Sequence, residues 1–367
     1  MQKKILIVTD FYEPHTSGVV TYVSQIIETL KKLNFSITVL TTKHNKSLQS
    51  EELVNDIKII RCKPTIKISR GFYSIELVLK YFKISKNYDF INIHYPLTEI
   101  FPIFLNFNYR TILNYHCLPS SNHLFKFIDF YFYFFGIISS FLSKKIIVLS
   151  EDYFLNILLH SIFENKIIEV PPYVLKNKVT KNKKNISRIN IGYLGRICYE
   201  KGLENLIKVS KILEHQKINH QIQIGGDLND KRFAKYISKI SLEAKNNKNI
   251  IFLNKIDENK KNVFFSEIDV FILPSINSFE AFGIVQLEAM SYGVPVIASN
   301  IKGVRSVILK TNNGYLFEKN NYKQLANKII KIKNSKIKTS EKIIIDTLKF
   351  YSADEFLARV SKMFKFM

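Results

Sequence analysis

The chain is 367 residues long, room for about two domains, each able to bury its own core. Hydrophobic residues make up 46% and charged residues 23%, a globular mix that excludes a disordered or fibrous chain. Lys and Arg outnumber Asp and Glu 54 to 31, so the formal charge is +23. That charge admits nucleic acid, an anionic membrane surface or phosphorylated ligands, or only the Lys-, Asn-, Ile- and Phe-rich composition of an A/T-rich genome.

The N-terminal run "KILIVTD" reads as a buried strand. It is too short for the apolar core of a signal peptide. "VVTYVSQIIETLKKL" follows with apolar residues at helical spacing, and "SITVLTT", "FINIHY", "YRTILNYH" and "KIIVLS" read as further strands. Strand, helix and strand in that rhythm predict a parallel sheet with crossover helices. Cys62, Cys117 and Cys198 have no metal-ligand spacing, and an odd, scattered set fits a reducing compartment. No fixed-period repeat and no long low-complexity tract appears.

Before the last of these strands, Phe130 to Ser143 runs fourteen positions without a charge and ends at Lys144 and Lys145. A membrane-spanning helix needs about 20 apolar residues, so this segment does not span. It reads either as a core helix or as an interfacial helix, with residues 124–145 meeting an anionic membrane surface.

The rhythm breaks over residues 170–187, "VPPYVLKNKVTKNKKNIS", where two prolines give way to an Asn- and Lys-rich stretch. A second series of strands then begins: "INIGYLG", "HQIQIGG", "NIIFLN", "DVFILPS" and "PVIAS". The fold class expected is α/β, two doubly wound Rossmann-like domains. Residues 1–172 form the first, with a C-terminal helix near 350–367 packing back on it, and 173–349 form the second. Ligands of such sheets bind at the carboxyl ends of the strands, which places a site in the cleft between the domains.

Glu280 and Glu288 stand out within "SFEAFGIVQLEAMSYG", because carboxylates in apolar segments need partners. The segment predicts a loop after a strand, then a helix ending at Gly293, with Glu280 before the helix and Glu288 inside it, on the order of 10 Å apart. The first amides of that helix, at Phe282, Gly283 and Ile284, make an anion site. A diphosphate there, with hydroxyl-bearing groups on each side, would give both glutamates partners. A nucleotide sugar has that shape. The alternative is a solvated loop residue and a helix-surface charge. "GRICYEKGLENLI" places Arg196 and Lys201 after the second series' first strand, where they could neutralise a diphosphate. As surface charges they would instead pair with Glu200 or Glu204.

Together these segments resemble the retaining glycosyltransferases of family 4, group 1 glycosyl transferases with the GT-B fold. "IGGDL" at 224–228, "NNGYLF" at 312–317, "DFYEPHTSGVVTYV", "INIHYP" and "LNYHCLPS" extend the resemblance over nearly the whole chain. It implies that Arg196 and Lys201 hold the donor diphosphate. It also implies that Glu280 contacts the donor sugar, Glu288 holds the ribose and amides near Phe282, Gly283 and Ile284 bind phosphate. His116 would lie near the transferred sugar, and Gly18 would let the first loop approach the donor. The activity implied is retaining transfer from a UDP- or GDP-sugar to a glycan or lipid-linked acceptor, at the cytoplasmic membrane face, without cofactor or metal, since no Asp-x-Asp occurs. No nucleic-acid partner is expected.

The chain departs from the family pattern at Ser17, where a glycine is usual, at Ala281, and at Lys302, Arg305 and Ser306 in "KGVRSVI". His94 and His123 read as packing or loop histidines. The competing readings are a GT-B-type sugar-nucleotide epimerase and a non-catalytic basic protein that binds lipid or nucleic acid. Intact Arg196, Lys201, Glu280 and Glu288 favour transfer.

Overall fold

The computed structural model describes residues 2–68, 71–118, 126–177, 188–334 and 340–365. His123 and part of the 170–187 stretch lie outside these. The chain forms two compact units, residues 1–172 with 354–367, and residues 173–353.

The first unit is built on β1 (Lys4–Thr9), β2 (Ser36–Thr42), β3 (Glu51–Val54) and β4 (Ile57–Cys62), a separate hairpin of β5 (Ile66–Ile68) and β6 (Gly71–Tyr73), then β7 (Phe90–Tyr95), β8 (Thr111–Tyr115), β9 (Lys145–Val148) and β10 (Ile167–Glu169). The large sheet runs β10-β9-β8-β7-β1-β2-β4-β3. All its pairings are parallel except β3 against β4. β1, β7, β8 and β9 are buried along almost every position, as parallel strands covered on both faces must be. The helices are α1 (Gly18–Lys32), α2 (Ile75–Ile84), α3 (Ile100–Ile103), α4 (Lys126–Leu142) and α5 (Glu151–Phe154). In α1 the buried residues Val20, Val23, Ile27 and Leu30 fall at three- and four-residue spacing, and each contributes about 1.5–3 kcal/mol by leaving water.

The second unit has β11 (Ile189–Leu194), β12 (His220–Gly225), β13 (Ile250–Leu253), β14 (Val270–Leu273), β15 (Val296–Ser299) and β16 (Gly314–Phe317), wholly parallel in the order β13-β12-β11-β14-β15-β16. Its helices are α6 (Glu204–His215), α7 (Ala234–Ala244), α8 (Lys261–Glu267), α9 (Ile284–Ser291), α10 (Val304–Thr311), α11 (Tyr322–Asn334) and α12 (Glu341–Tyr351). After α12 the chain rejoins the first unit as α13 (Ala353–Lys365). There Arg359 donates to the Glu169 carbonyl at 3.1 Å and Phe364 packs on Phe35.

The ten strands anticipated from the sequence are all present. Those not anticipated are β3, β4, the β5–β6 hairpin, β10 and β16. β3 is mostly exposed and antiparallel, and β16 follows the Asn-Asn-Gly turn so closely that the turn hides it. Among the described residues, no helix is long and apolar enough to cross a membrane.

Candidate active site

In the second unit β11 and β14 are neighbours in one parallel sheet, so the loops leaving their carboxyl ends emerge side by side. That brings Lys201 and Glu280, 79 positions apart, into an ion pair: the Lys201 ammonium and the Ser275 hydroxyl, the latter at 3.1 Å, both donate to one oxygen of Glu280. Both ionic side chains are about seven-eighths buried. A backbone bond from Ile276 to the Glu200 carbonyl, 2.9 Å, ties the two loops together. Gly202 closes the first loop at φ +61°, and a Cβ there would lie 2.5 Å from the Pro274 carbonyl, so the tie depends on glycine.

The loop after β14 leads into α9 through Gly283, at φ +76°. No side chain caps the first turn of α9, which leaves its amides available to an anion. Phe282 is buried edge-on against Tyr351, and the buried Gln286 side-chain amide donates to the carbonyls of Phe282 and Val304. Gln286 therefore fixes the turn that presents the amides of Phe282, Gly283 and Ile284. The helix ends in a Schellman arrangement: the Val294 amide donates to Ala289 at 3.0 Å and Gly293 to Met290 at 2.9 Å.

Glu288 lies one turn into α9. Lys261, at the start of α8 and so at the same sheet edge, reaches it at 2.9 Å and reaches Glu258 at 2.8 Å. Burial pulls the Lys261 ammonium down, but the two carboxylates outweigh it and leave its pKa raised. Arg196 is exposed, with its guanidinium over the faces of Phe279 at 5.6 Å and Phe233 at 6.0 Å.

The alternative reading of Lys201, a surface charge paired with Glu200 or Glu204, does not describe it: its ion pair is with Glu280. Glu204 instead accepts from Tyr236 at 2.7 Å and from Lys239. Both glutamates have lysine partners within the protein, Glu280 from the neighbouring loop and Glu288 from α8. Sequence spacing could not show Lys261, which reaches Glu288 through the tertiary fold; Ser275 and Gln286 bond groups five and four residues away and were missed although local.

In the first unit, Gly18 begins α1, and Ser17 is its N-cap, accepting from the Val20 amide at 3.3 Å. The serine that departs from the family pattern thus has a capping role. His116 follows β8 and is buried, 3% exposed, with its Nε2 2.8 Å from Nδ1 of His94 and the edge of Tyr22 against its ring. Burial pushes the His116 pKa down to about 3, and burial with the nearby His116 pushes His94 well below its usual range. Both imidazoles are neutral at pH 7. His94, read from sequence as a packing histidine, is the partner that orients His116.

At Lys302, Arg305 and Ser306, α10 starts after Gly303. Ser306 is buried and donates to the Gly303 carbonyl, while Arg305 reaches Asn300 at 3.5 Å. Ser306 is thereby part of the turn rather than of an open surface.

Residues 176–349 match the family model described as Glycosyl transferases group 1. The capsular polysaccharide biosynthesis glycosyltransferase CapM of Staphylococcus aureus is 30% identical over 144 residues, 39% of this chain and 36% of that protein. The matches to the first three curated relatives span 39%, 36% and 32% of their lengths. Sucrose-phosphate synthase from Thermosynechococcus elongatus superposes with a TM-score of 0.80 at 18% identity, covering 99% of this chain and 98% of that one. Anabaena Alr3699/HepE in complex with UDP and glucose superposes with a TM-score of 0.73 at 15% identity over the whole of both chains. The fold is that of the GT-B glycosyltransferases. That family match covers nearly all of the second unit, residues 173–353.

Proposed function

We propose that the protein is a retaining glycosyltransferase. It moves a sugar from a UDP- or GDP-sugar to a glycan or lipid-linked acceptor in the synthesis of a cell-surface polysaccharide, lipopolysaccharide or glycolipid, on the cytoplasmic side of the membrane. The observation that carries this reading is the Lys201–Glu280 pair beside the uncapped start of α9. A sugar diphosphate is the ligand class that can take such a pair apart without loss. Its phosphate accepts from Lys201, and a sugar hydroxyl donates to Glu280. Capsular polysaccharide synthesis in the name of CapM and the UDP held by HepE support the substrate class.

In the reaction the anomeric C–O bond to the diphosphate breaks, and the departing oxygen gains charge. Arg196, Lys201 and the amides of Phe282, Gly283 and Ile284 stabilise that charge without needing a metal. The acceptor hydroxyl attacks from the face the diphosphate leaves, and a phosphate oxygen takes its proton. Glu280 orients the sugar and Glu288 the ribose. His116, held neutral, offers a hydrogen bond rather than a charge.

The test is a panel of nucleotide sugars assayed for donor hydrolysis and transfer, with Glu280→Gln and Arg196→Ala alongside. One donor should turn over, with both variants losing about 10²–10³ in rate. Product of inverted anomeric configuration would refute retention. Turnover of no donor would leave the family fold without this activity.

A further inference from the structure

Four polar side chains share one face of the first sheet. Asn92 and His94 alternate along β7, Asn114 and His116 alternate along β8 and its end, and His94 stands opposite Asn114 in the register. Their neighbours on that face are Ile7, Ile112 and Ile147. Asn92, His94 and Asn114 are each 1% exposed. Both side-chain amide atoms of each asparagine and Nε2 of His94 have no hydrogen-bond partner among the described residues. Isoleucine or leucine would fill the same space without that cost, since buried polar groups are unfavourable unless partnered. A breach of the apolar pattern of this kind is expected at functional positions.

The row leads to His116. Nδ1 of His94 lies 2.8 Å from Nε2 of His116, and the two rings are nearly parallel, 17° apart. Burial keeps both neutral at pH 7, so each has one N–H and one bare nitrogen, and one hydrogen lies between them. If His116 donates it, both rings carry their hydrogen on Nε2. If His94 donates it, both carry it on Nδ1. The contact therefore forces one tautomer on the pair. Neutral histidine in water favours the Nε2 form, and here that preference counts twice. In that form the Nε2 hydrogen of His94 needs an acceptor. The register sets the side-chain oxygens of Asn92 and Asn114 beside it, reached through an ordered water. His116 stands one residue beyond the carboxyl end of β8, the edge at which ligands of such sheets bind. Its Nδ1 makes no hydrogen bond among the described residues and is the nitrogen left for a ligand.

We infer that His94, backed by Asn92 and Asn114, is a positioning residue that holds His116 with its hydrogen on Nε2 and a bare Nδ1 for the ligand. His116 then accepts from a hydroxyl and has nothing to donate to a phosphate. It selects a free hydroxyl at that point over an acylated or deoxy position. That this hydroxyl belongs to a sugar rests on the transferase reading; the tautomer does not.

The test begins without a donor. The full chain, isotope-labelled in its histidine ring nitrogens, is read by long-range proton–nitrogen correlation at pH 7, with His94→Leu and His116→Gln assigning the two rings. His94 and His116 should both carry hydrogen on Nε2. In His94→Leu, His116 should become a mixture of tautomers. His94→Asn, whose side-chain oxygen can accept in place of Nδ1, should restore the single form. Asn114→Leu touches neither ring and should shift both together; it covers the case in which His94→Leu fails to fold, judged by thermal unfolding. A second readout separates positioning from packing. Affinity for UDP or GDP by titration should be unchanged in His94→Leu, while kcat/KM for the donor falls about ten- to hundred-fold and His94→Asn recovers most of it. Hydrogen on Nδ1 of His116, different tautomers on the two rings, or a His116 tautomer indifferent to a folded His94→Leu would overturn the inference. So would an equal loss of nucleotide affinity and turnover. The expected tautomers with turnover of no donor would sink the transferase reading and leave this one standing.

Discussion

Lys201 and Glu280 hold each other in an ion pair at the carboxyl edge of the second sheet, beside Arg196 on the same loop as Lys201. Glu280 thus competes with any phosphate for Lys201. Glu280→Gln should raise the affinity for a free nucleoside diphosphate by up to about ten-fold, an effect of about 1.4 kcal/mol, while donor turnover falls. Titration calorimetry with UDP and GDP beside a hydrolysis assay separates the two. A parallel loss of binding and turnover would mean that Glu280 maintains the loop rather than contacting the sugar.

Lys261 should act through Glu288 and leave the chemistry alone. Lys261→Met should weaken nucleotide binding roughly ten-fold at nearly unchanged turnover of bound donor. A double-mutant cycle with Glu288→Gln should give a coupling of roughly 1 kcal/mol for this partly exposed pair. Additive effects would show that the ion pair does not transmit the change.

Gly283 cannot be replaced without moving the site. Its φ is +76°, and a Cβ would lie 2.3 Å from the Leu273 side chain. Gly283→Ala should cost about 1–3 kcal/mol and lower donor affinity, measured by denaturant unfolding and by titration. Unchanged stability would show that the turn can relax at no cost.

Protonation should set opposite limits on the stability of the first unit. His116 has its pKa pushed down to about 3 by burial, so the unfolded chain takes up a proton first. Stability should fall as pH drops from about 6.5 towards 3, and His116→Gln should flatten that limb.

Glu99 works in the other direction. It is fully buried, and burial first, then the Asp10 charge, raises its pKa. Its side chain accepts from the Ser74 amide at 2.6 Å and lies 2.9 Å from the Thr98 hydroxyl, which is 3.1 Å from Asp10. Folding here favours the protonated acid. Its contribution is complete below the unfolded value and is lost as pH rises through the raised one. Glu99→Gln should raise stability at pH 9 by roughly 1–3 kcal/mol relative to wild type and change it little at pH 4, read by thermal unfolding.

The sequence by itself determined the period of the elements, and so the fold class. Buried parallel strands are runs of Ile, Val and Leu whose pattern is visible without knowing their neighbours, as in "KILIVT" or "VFIL". It also determined that Glu280 precedes a helix and Glu288 lies within it, because Gly283 and Gly293 bracket that helix locally. What it could not determine is partnership. Lys201 meets Glu280 because β11 and β14 are adjacent, Lys261 meets Glu288 because α8 starts at the same sheet edge, and His94 meets His116 because β7 and β8 are paired. Strand order is decided by packing across long loops, which leaves no periodic trace. The polarity of α4 was likewise settled only in three dimensions. A run uncharged on every side has no face until the sheet buries Phe132, Gly136, Ser139 and Ser140 and leaves Phe127, Phe130, Phe134 and Phe141 exposed.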